Sequence, residues 1–553
     1  MSSVPFSDDK TILKNDKQVT PILCQGLNKP QRTKALGERS KAVWRQEFMV
    51  FLGNVGVLGA GMAVALPSVT LDQLTDVNES FHLTVDEASW FCMSEELFSK
   101  KIGDREIKSP YFLSPSASIN TMACPLGGLL VGYLLDRVGR KNTILVTHIT
   151  GVLGWALLAS CTMYSDRTTI LIQMLLARFL SGVMIGLCLS PVGVYSAEIG
   201  LPRIRGRLIL GTSIGIAAGI LFMYILGYFI RNNWQLIAII STVFQIITTL
   251  CVLPMPETPS WLMQKGQLEK ARKSLKYFRG LNMNDIAYCE EFENEFNQIK
   301  RNSEISRNTA QTESLLQAIC APEVYKPLLI MIGFFGVQQC SGIVVVVVFA
   351  VQIATAAGVS TDPFLCAVMV GVARIITTLF MSSLFERWGR RPAGMFSASG
   401  MTVCMLLLAL SGWYPKAFAR VSVLPAICIV MHIIFSTMGL LTLPFFMISE
   451  VFPQRFRGTA SGLAVSLGLL ASFAVVKLYP SMVIVMGTAY VFAFYGFISL
   501  VGVPYIYFLI PETRGRTLLE IEEYFRTGRM VSLDQVLEQN LERGECKELF
   551  IKT

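Results

Sequence analysis

The sequence predicts an all-α membrane protein: twelve transmembrane helices in two pseudo-symmetric six-helix halves, with cytosolic linker helices between the halves. Three observations carry this. Of the 553 residues, 52% are hydrophobic and 16% charged, and mean hydropathy is +0.51, whereas soluble domains carry about a quarter charged residues. The apolar residues gather into twelve runs, most near the ~20 residues that a bilayer span needs. A set of short charged motifs from the first half of the chain returns in the second at nearly constant offset.

In chain order the runs cover 48–70, 118–135, 142–164, 169–195, 207–230, 234–254, 327–352, 364–385, 392–413, 421–449, 458–478 and 482–509. The run 118–135 is short, yet at about 1.5 Å per residue it nearly crosses the hydrocarbon core. Ahead of the first run the chain is polar up to Arg45 and shows no cleavable signal peptide. The first run is therefore expected to act as a retained signal-anchor. The runs divide the chain into an N-terminal tail (1–46), a first half (47–254), a linker (255–326), a second half (327–510) and a C-terminal tail (511–553). In the linker Leu262, Leu268, Ala271, Leu275 and Phe278 recur at helical spacing, which predicts short amphipathic helices beneath the bundle.

A net charge of +9 invites a nucleic-acid reading. Its distribution argues against one. Basic residues cluster between apolar runs as Arg137/Arg140/Lys141, Arg203/Arg205/Arg207, Arg387/Arg390/Arg391 and Arg455/Arg457, while the alternate loops carry little beyond Arg167 or Arg231. That asymmetry orients a polytopic protein and places both termini and the linker in the cytosol. Asn78-Glu79-Ser80, on the predicted outer side, makes Asn78 a candidate glycosylation site. The 13 cysteines are mostly single; Cys124, Cys161, Cys188, Cys251, Cys404 and Cys428 read as small buried residues. No Cys/His spacing suggests a metal. No nucleophile–base pair or phosphate loop suggests an enzyme, and no cofactor is expected.

DRVGRK (136–141) returns as ERWGRR (386–391), 250 residues later. Glu198 with Arg205-Gly206 returns as Glu450 with Arg457-Gly458 after 252 residues, and Pro256-Glu257-Thr258 as Pro511-Glu512-Thr513 after 255. Gly186 and Pro191 return as Gly439 and Pro444 after 253 residues. Such duplication marks carriers that rock two halves about a central site. A candidate cytosolic gate follows: Asp136, Arg137, Arg140, Glu198, Arg205 and Glu257, with Glu386, Arg387, Arg390, Glu450, Arg457 and Glu512 as their counterparts. A glutamate at one helix end accepts charge-assisted hydrogen bonds from an arginine of a neighbouring helix. Two roles fit: a lock on the cytosolic face that breaks when the pore opens inward, or anchors that fix helix ends and topology. Gly211/Gly215/Gly219, Gly128/Gly132 and Gly182/Gly186 have the four-residue spacing that lets membrane helices approach closely.

Two polar features interrupt the seventh and eighth runs. An unpaired amide in hydrocarbon costs several kcal/mol, so Gln338 and Gln339 must face a wet cavity or a partner helix. Amides suit a neutral, hydroxyl-rich ligand; they also bond neighbouring helices. Arg374 lies twelve residues, about 18 Å, inside Glu386. It either binds ligand oxygens, admitting anionic ligands, or serves as a strut on backbone carbonyls. The first run has no acid, Asp72 being at its outer end, and His148 and His432 are lone histidines within runs. Facilitated diffusion is favoured over proton symport.

In order over residues 48–525 the motifs are DRVGRK (136–141), RFLSGVMIG (178–186), YSAEIGLPRIRG (195–206), PETPSWL (256–262), QQCSG (338–342), ERWGRR (386–391), SEVFPQRFRG (449–458) and PETRGRTLLEIE (511–522). With them the chain resembles a sugar porter of the major facilitator superfamily, in the insect branch related to facilitated trehalose transporters. The resemblance implies the major facilitator fold and facilitative alternating-access transport of a hexose or disaccharide. It also implies a multi-pass monomer in the plasma membrane whose partners are a sugar and the lipid bilayer. By match Gln338 and Gln339 bind sugar hydroxyls; Ser341, Ser213, Phe445 and Arg374 complete the candidate site. The chain departs from the pattern at Val344, where sugar porters usually have asparagine, at Ser213 for glutamine, and at Phe445 after Pro444 for tryptophan. The eleventh run offers only Ser466 and Ser472. A sugar would find fewer hydrogen bonds, so a weaker-binding or less polar substrate fits the loss, and a nutrient sensor or degenerate porter with little transport stands as an alternative; a proton-coupled symporter is another, with His148 and His432 as the titratable groups within runs. Residues 92–117 separate Trp90-Phe91 from Ser118-Ile119-Asn120, which the family pattern joins; a retained intron, an alternative exon or a genuine outer loop would each account for them.

Overall fold

The computed structural model describes residues 29–74, 116–161, 167–201, 204–231, 233–281, 292–301, 322–359, 362–418, 423–452, 457–514, 516 and 518–528. All regular structure among the described residues is helical. Lipid offers backbone groups no hydrogen-bond partner, so a spanning helix must close its own ladder. Eleven stretches are long and apolar enough to cross a membrane. The seventh span, broken into pieces, brings the bundle to twelve.

The first half comprises span one (Lys29–Leu74), two (Ser116–Arg137), three (Arg140–Ala159), four (Arg167–Cys188, resuming as Pro191–Ile199), five (Arg205–Phe229) and six (Trp234–Val252). The second comprises span seven (Pro322–Cys340, Ile343–Val348 and Ala350–Ala356), eight (Pro363–Trp388), nine (Arg390–Trp413), ten (Leu424–Met438, resuming as Leu443–Val451), eleven (Arg457–Met486) and twelve (Thr488–Leu509). Spans four and ten break at corresponding places because each restarts at a proline, Pro191 or Pro444, within its first two positions. Proline has no N–H to extend a preceding helix but suits the first turn of a new one.

Span one packs on five and six, three on four and six, and nine on ten and twelve. The halves meet along two seams, span two against eleven and span five against eight. Small residues set the closest approaches. A methyl on Gly219 would stand 2.0 Å from the Leu58 carbonyl oxygen, and one on Gly61 2.2 Å from that of Ile216. On span two the tightly packed glycine is Gly127, 2.3 Å from the Val183 carbonyl oxygen, rather than the Gly128/Gly132 pair expected from spacing. One residue turns a helix by about 100°, so Gly128 instead points across the seam at Ser466 and Leu469, and nothing lies within 4 Å of Gly132.

In the linker, helix Leu268–Arg279 buries Ala271, Ser274, Leu275 and Phe278. It forms a small core with Leu262, Met263, Phe292 and Phe296. Gln46 of span one staples this layer to the bundle: its Nε2 donates to the Phe278 carbonyl at 2.9 Å, and its Oε1 accepts from the Leu201 N–H at 3.0 Å. The eight described cysteines are free thiols; Cys251 is part-buried, the other five expected to be buried are so.

Replacing Gly219 with valine forces side-chain atoms into the backbone of span one. Overpacking of this kind costs about 1–3 kcal/mol, so Gly219→Val is expected to lower the melting temperature of the detergent-purified protein. An unchanged melt would contradict the tight one–five contact.

Candidate functional site

The seventh span begins as an ordinary helix and breaks twice. After Gln338-Gln339 the chain turns at Gly342, which has φ 84°, a conformation that favours glycine. Ser341 Oγ donates to the Gln338 carbonyl at 2.6 Å and stabilises this turn. Ile343 and the five valines form one short helix that stops at Phe349. Consecutive β-branched residues are poorer helix formers than Leu or Ala. At this second break the backbone is met by the first half of the protein. The Val347 carbonyl accepts from the Tyr224 hydroxyl at 2.6 Å. The Val351 N–H donates to Ser68 Oγ at 3.1 Å, and Gln352 Nε2 to the Ser68 carbonyl at 3.2 Å. Near these lies the Arg231–Asp362 ion pair between spans five and eight.

All four contacts lie on the side that the sequence assigns as outer. On the cytosolic halves of spans four, seven and eleven, a methyl at Gly193, Gly336 or Gly462 would meet nothing within 4 Å. Phe445, on the cytosolic part of span ten, is 42% exposed. The two halves are joined at the outer side by those four contacts.

Gln338 and Gln339 are buried inside the bundle, away from lipid. Gln338 Nε2 donates to the Leu441 carbonyl at 2.8 Å, tying span seven to the break in span ten. Its Oε1, and that of Gln339, meet no hydrogen-bond partner. Other buried amide oxygens are unmet too, among them those of Asn54, Asn120 and Gln245; Gln338 and Gln339 differ in standing side by side next to the break in span seven. Ser341 is fully buried and its hydroxyl is occupied by the turn, so it holds the glutamines in place rather than facing a ligand. Val344 is the only part-buried residue of the valine run. Ser213 is part-buried and makes no hydrogen bond to a described residue; it shares a helix face with Ala217, Ile220 and Tyr224. The Phe445 ring meets Phe335 edge-on at 5.3 Å.

Arg374 is part-buried on the inward face of span eight, and its guanidinium makes no hydrogen bond or ion pair with a described residue. The carbonyl strut is instead Arg178, which sequence reasoning quoted within a motif but did not single out. Arg178 is buried in span four; its Nη1 and Nη2 reach the Ala63 carbonyl at 3.3 and 3.4 Å, and Asn120 Nδ2 donates to the same oxygen at 3.3 Å. Ala63 is four residues before Pro67, whose missing N–H leaves that carbonyl without its helical partner. A proline inside a span and an arginine inside another were the available signals. His148 pairs with Gln245 at 3.2 Å, and both sit against Gly56 and Gly59 within the first half. His432 is fully buried within the second half.

At the cytosolic ends, the structure builds the same clamp twice. Arg140 Nε and Nη2 hold Glu198 at 2.8 and 2.7 Å, and Nη1 donates to the Leu135 carbonyl at 3.1 Å. Arg390 grips Glu450 through Nε and Nη2. Glu257 accepts from the Arg140 and Lys141 N–H groups at 3.0 and 3.2 Å, capping span three from a distance; Glu512 does the same for Arg390 and Arg391 at 3.1 and 3.0 Å. Carboxylates favour helix N-termini. Gly139 and Gly389 are needed there: a methyl would stand 2.4 Å from Glu257 Oε2 or 2.8 Å from Glu512 Oε2. Each of these contacts stays within one half. The expectation of a lock between the halves is therefore not realised by these pairs in this conformation; they brace each half internally, because both partners lie on helix ends of the same bundle. Asp136 is exposed and makes no ion pair with a described residue, and Arg137 lies over the Tyr133 ring at 5.6 Å. The side chains of Arg205, Glu386, Arg387 and Arg457, as well as Asn78 and residues 92–115, lie outside the described residues.

A family model described as sugar (and other) transporter matches residues 77–525. A facilitated trehalose transporter of Polypedilum vanderplanki is 30% identical over 492 residues, which cover 88% of each chain. A facilitated trehalose transporter of Drosophila mojavensis is 29% identical over 503 residues, 89% of this chain and 53% of its own; the chain spans about half the length of such Drosophila relatives. Among solved structures, the proton:xylose symporter XylE of the major facilitator superfamily superposes with a TM-score of 0.68 at 21% identity, covering 88% of this chain and 100% of that one. An inward-open form of XylE from E. coli gives 0.67 at 20%, covering 86% and 98%. The fold is the major facilitator fold.

Tyr224→Phe removes one donor from the outer joint. A neutral hydrogen bond contributes about 1 kcal/mol, so hydrogen–deuterium exchange over 343–356 is expected to rise about fivefold; no rise would mean the Val347 carbonyl does not depend on it. Burial, outweighing its backbone hydrogen bonds, raises the Glu257 carboxyl above its ordinary 4.5. The folded protein then holds this proton more tightly than the unfolded chain. The resulting stabilisation is full below pH 4.5 and is lost as pH rises through the raised value. Melting temperature against pH should show that decline in the wild type, and Glu257→Gln, which does not titrate, should flatten it.

Proposed function

The chain belongs to the sugar transporter family, and on that premise we propose that it is a facilitative carrier of sugars of the trehalose or hexose class. It works by alternating access, in the plasma membrane, as a monomer with both termini cytosolic. The observation that carries this reading is the pair of unmet amide oxygens, Gln338 Oε1 and Gln339 Oε1, held inside a duplicated bundle. Sugar hydroxyls are donors that match them. Closure at the outer joint is released when the broken seventh span leaves Tyr224 and Ser68, and the cytosolic clamps keep each half rigid while it rocks. No step alters the sugar, so the reading contains no catalysis. The similarity to facilitated trehalose transporters supports the substrate class.

Uptake of labelled trehalose and glucose into oocytes, with surface expression measured in parallel, tests the proposal. Loss of a hydrogen-bonding amide in a buried site costs about 1–3 kcal/mol, so Gln339→Ala is expected to raise the half-saturating concentration by about tenfold or more. Gln338→Ala should do the same and also loosen span ten, since its amide holds the Leu441 carbonyl. Surface-expressed protein that binds sugar but moves none would replace the carrier by a sensor, a reading that the apolar, part-buried Val344 favours.

A further inference from the structure

Arg374 is the charge in the bundle that the carrier reading leaves unused. Val372 and Ile376 are exposed on the lipid-facing side of span eight. Arg374, two positions from each, lies about 200° around the helix and so faces inward. Gly371 and Thr378 share its side: a methyl on Gly371 would stand 3.0 Å from Leu221 of span five, and Thr378 Oγ1 donates to the Arg374 carbonyl at 2.7 Å. Side chains tilt toward the helix N-terminus, here the outer end, which carries the guanidinium toward Tyr224, its electrostatic neighbour. The Tyr224 hydroxyl donates to Val347.

Both arginines lie deep in spans. Arg178 is fully enclosed, and two of its nitrogens reach the Ala63 carbonyl while its Nε meets no partner; none of the five N–H donors of Arg374 meets an acceptor on a described residue. A guanidinium matches a carboxylate two bonds at a time. Depth places it with the glutamines: Gln339 is twelve residues inside Pro327, and Arg374 twelve inside Glu386, about 18 Å in each case. The two amide oxygens accept hydroxyl donors, and Val344 withholds a further polar contact; a charge-assisted pair offsets that loss. One cation balances one carboxylate, where a doubly charged phosphate would leave an excess.

Resting on the sugar-carrier reading, we infer that Arg374 is the anion-binding element of the central site and that the preferred substrate is a hexose-sized sugar acid with one carboxylate.

The test is uptake in oocytes of labelled glucuronate, its neutral amide glucuronamide, glucose and trehalose, at matched surface expression. Wild type should take up glucuronate about tenfold better than glucuronamide. In Arg374→Gln that ratio should fall to about one, and in Arg374→Lys, which keeps charge but loses the fork, to an intermediate value. Should Arg374→Gln fail to reach the surface, the ratio in Arg374→Lys decides: a fall supports the assignment, an unchanged ratio overturns it. Uptake of glucose or trehalose without preference for glucuronate overturns the inference and leaves the carrier reading standing. Uptake of a glucose-6-phosphate probe in preference to glucuronate also overturns the carboxylate assignment. Uptake of none of these sugars by surface-expressed protein overturns both.

Discussion

Backbone groups released from a helix inside a membrane must find partners within the protein, and much of this bundle is arranged around that demand. Pro67 releases the Ala63 carbonyl, and Arg178 and Asn120 take it up. The break at Phe349 exposes Val347 and Val351, and Tyr224 and Ser68 answer. The break in span ten exposes Leu441, and Gln338 answers. At the cytosolic ends of spans three and nine, Glu257 and Glu512 receive N–H groups that begin a helix. Irregular backbone at membrane depth is tolerated where protein or a cavity covers it, and the same places are where a carrier can bend.

The partners differ in where they come from, and that difference separates rigid from movable parts. Arg178, Gln338 and the two glutamate caps belong to the same half as the group they satisfy. They brace that half. Tyr224 and Ser68 belong to the opposite half from Val347 and Val351, so their bonds form only while the outer side is joined. The outer joint consists of three neutral hydrogen bonds to backbone groups and the solvent-exposed Arg231–Asp362 pair, and exposed ion pairs contribute little; the part-buried, bidentate Arg390–Glu450 clamp is built from stronger charge-assisted bonds.

The duplication is faithful at the cytosolic ends and lost in the core. Arg140/Glu198/Glu257 and Arg390/Glu450/Glu512 share geometry down to the glycine that makes room for the glutamate. In the interior, span one stays continuous through Pro67, while its counterpart, span seven, breaks twice. The buried polar residues also differ: the first half holds the His148–Gln245 pair and Arg178, the second holds His432, the adjacent glutamines and Arg374. Symmetry supplies the rocking frame, and the asymmetric core supplies the chemistry.

Twelve spans, two halves and the motif ends were legible in the chain because lipid penalises polar residues at every position and leaves a linear record. The breaks at Pro191 and Pro444 were legible too, since proline acts locally. Residue-by-residue reading placed Gln338, Gln339 and Arg374 at mid-depth but could not say which had partners. It left Arg374 open between a ligand-binding group and a strut on backbone carbonyls, the second being the task that Arg178 performs, and spaced the glycines one position off on span two. Those assignments depend on contacts between residues far apart in the chain, such as Gly127 with Val183, Arg178 with Ala63 and Tyr224 with Val347. Helix rotation and register fix such contacts, and both are set by packing of the whole bundle rather than by any local stretch of chain.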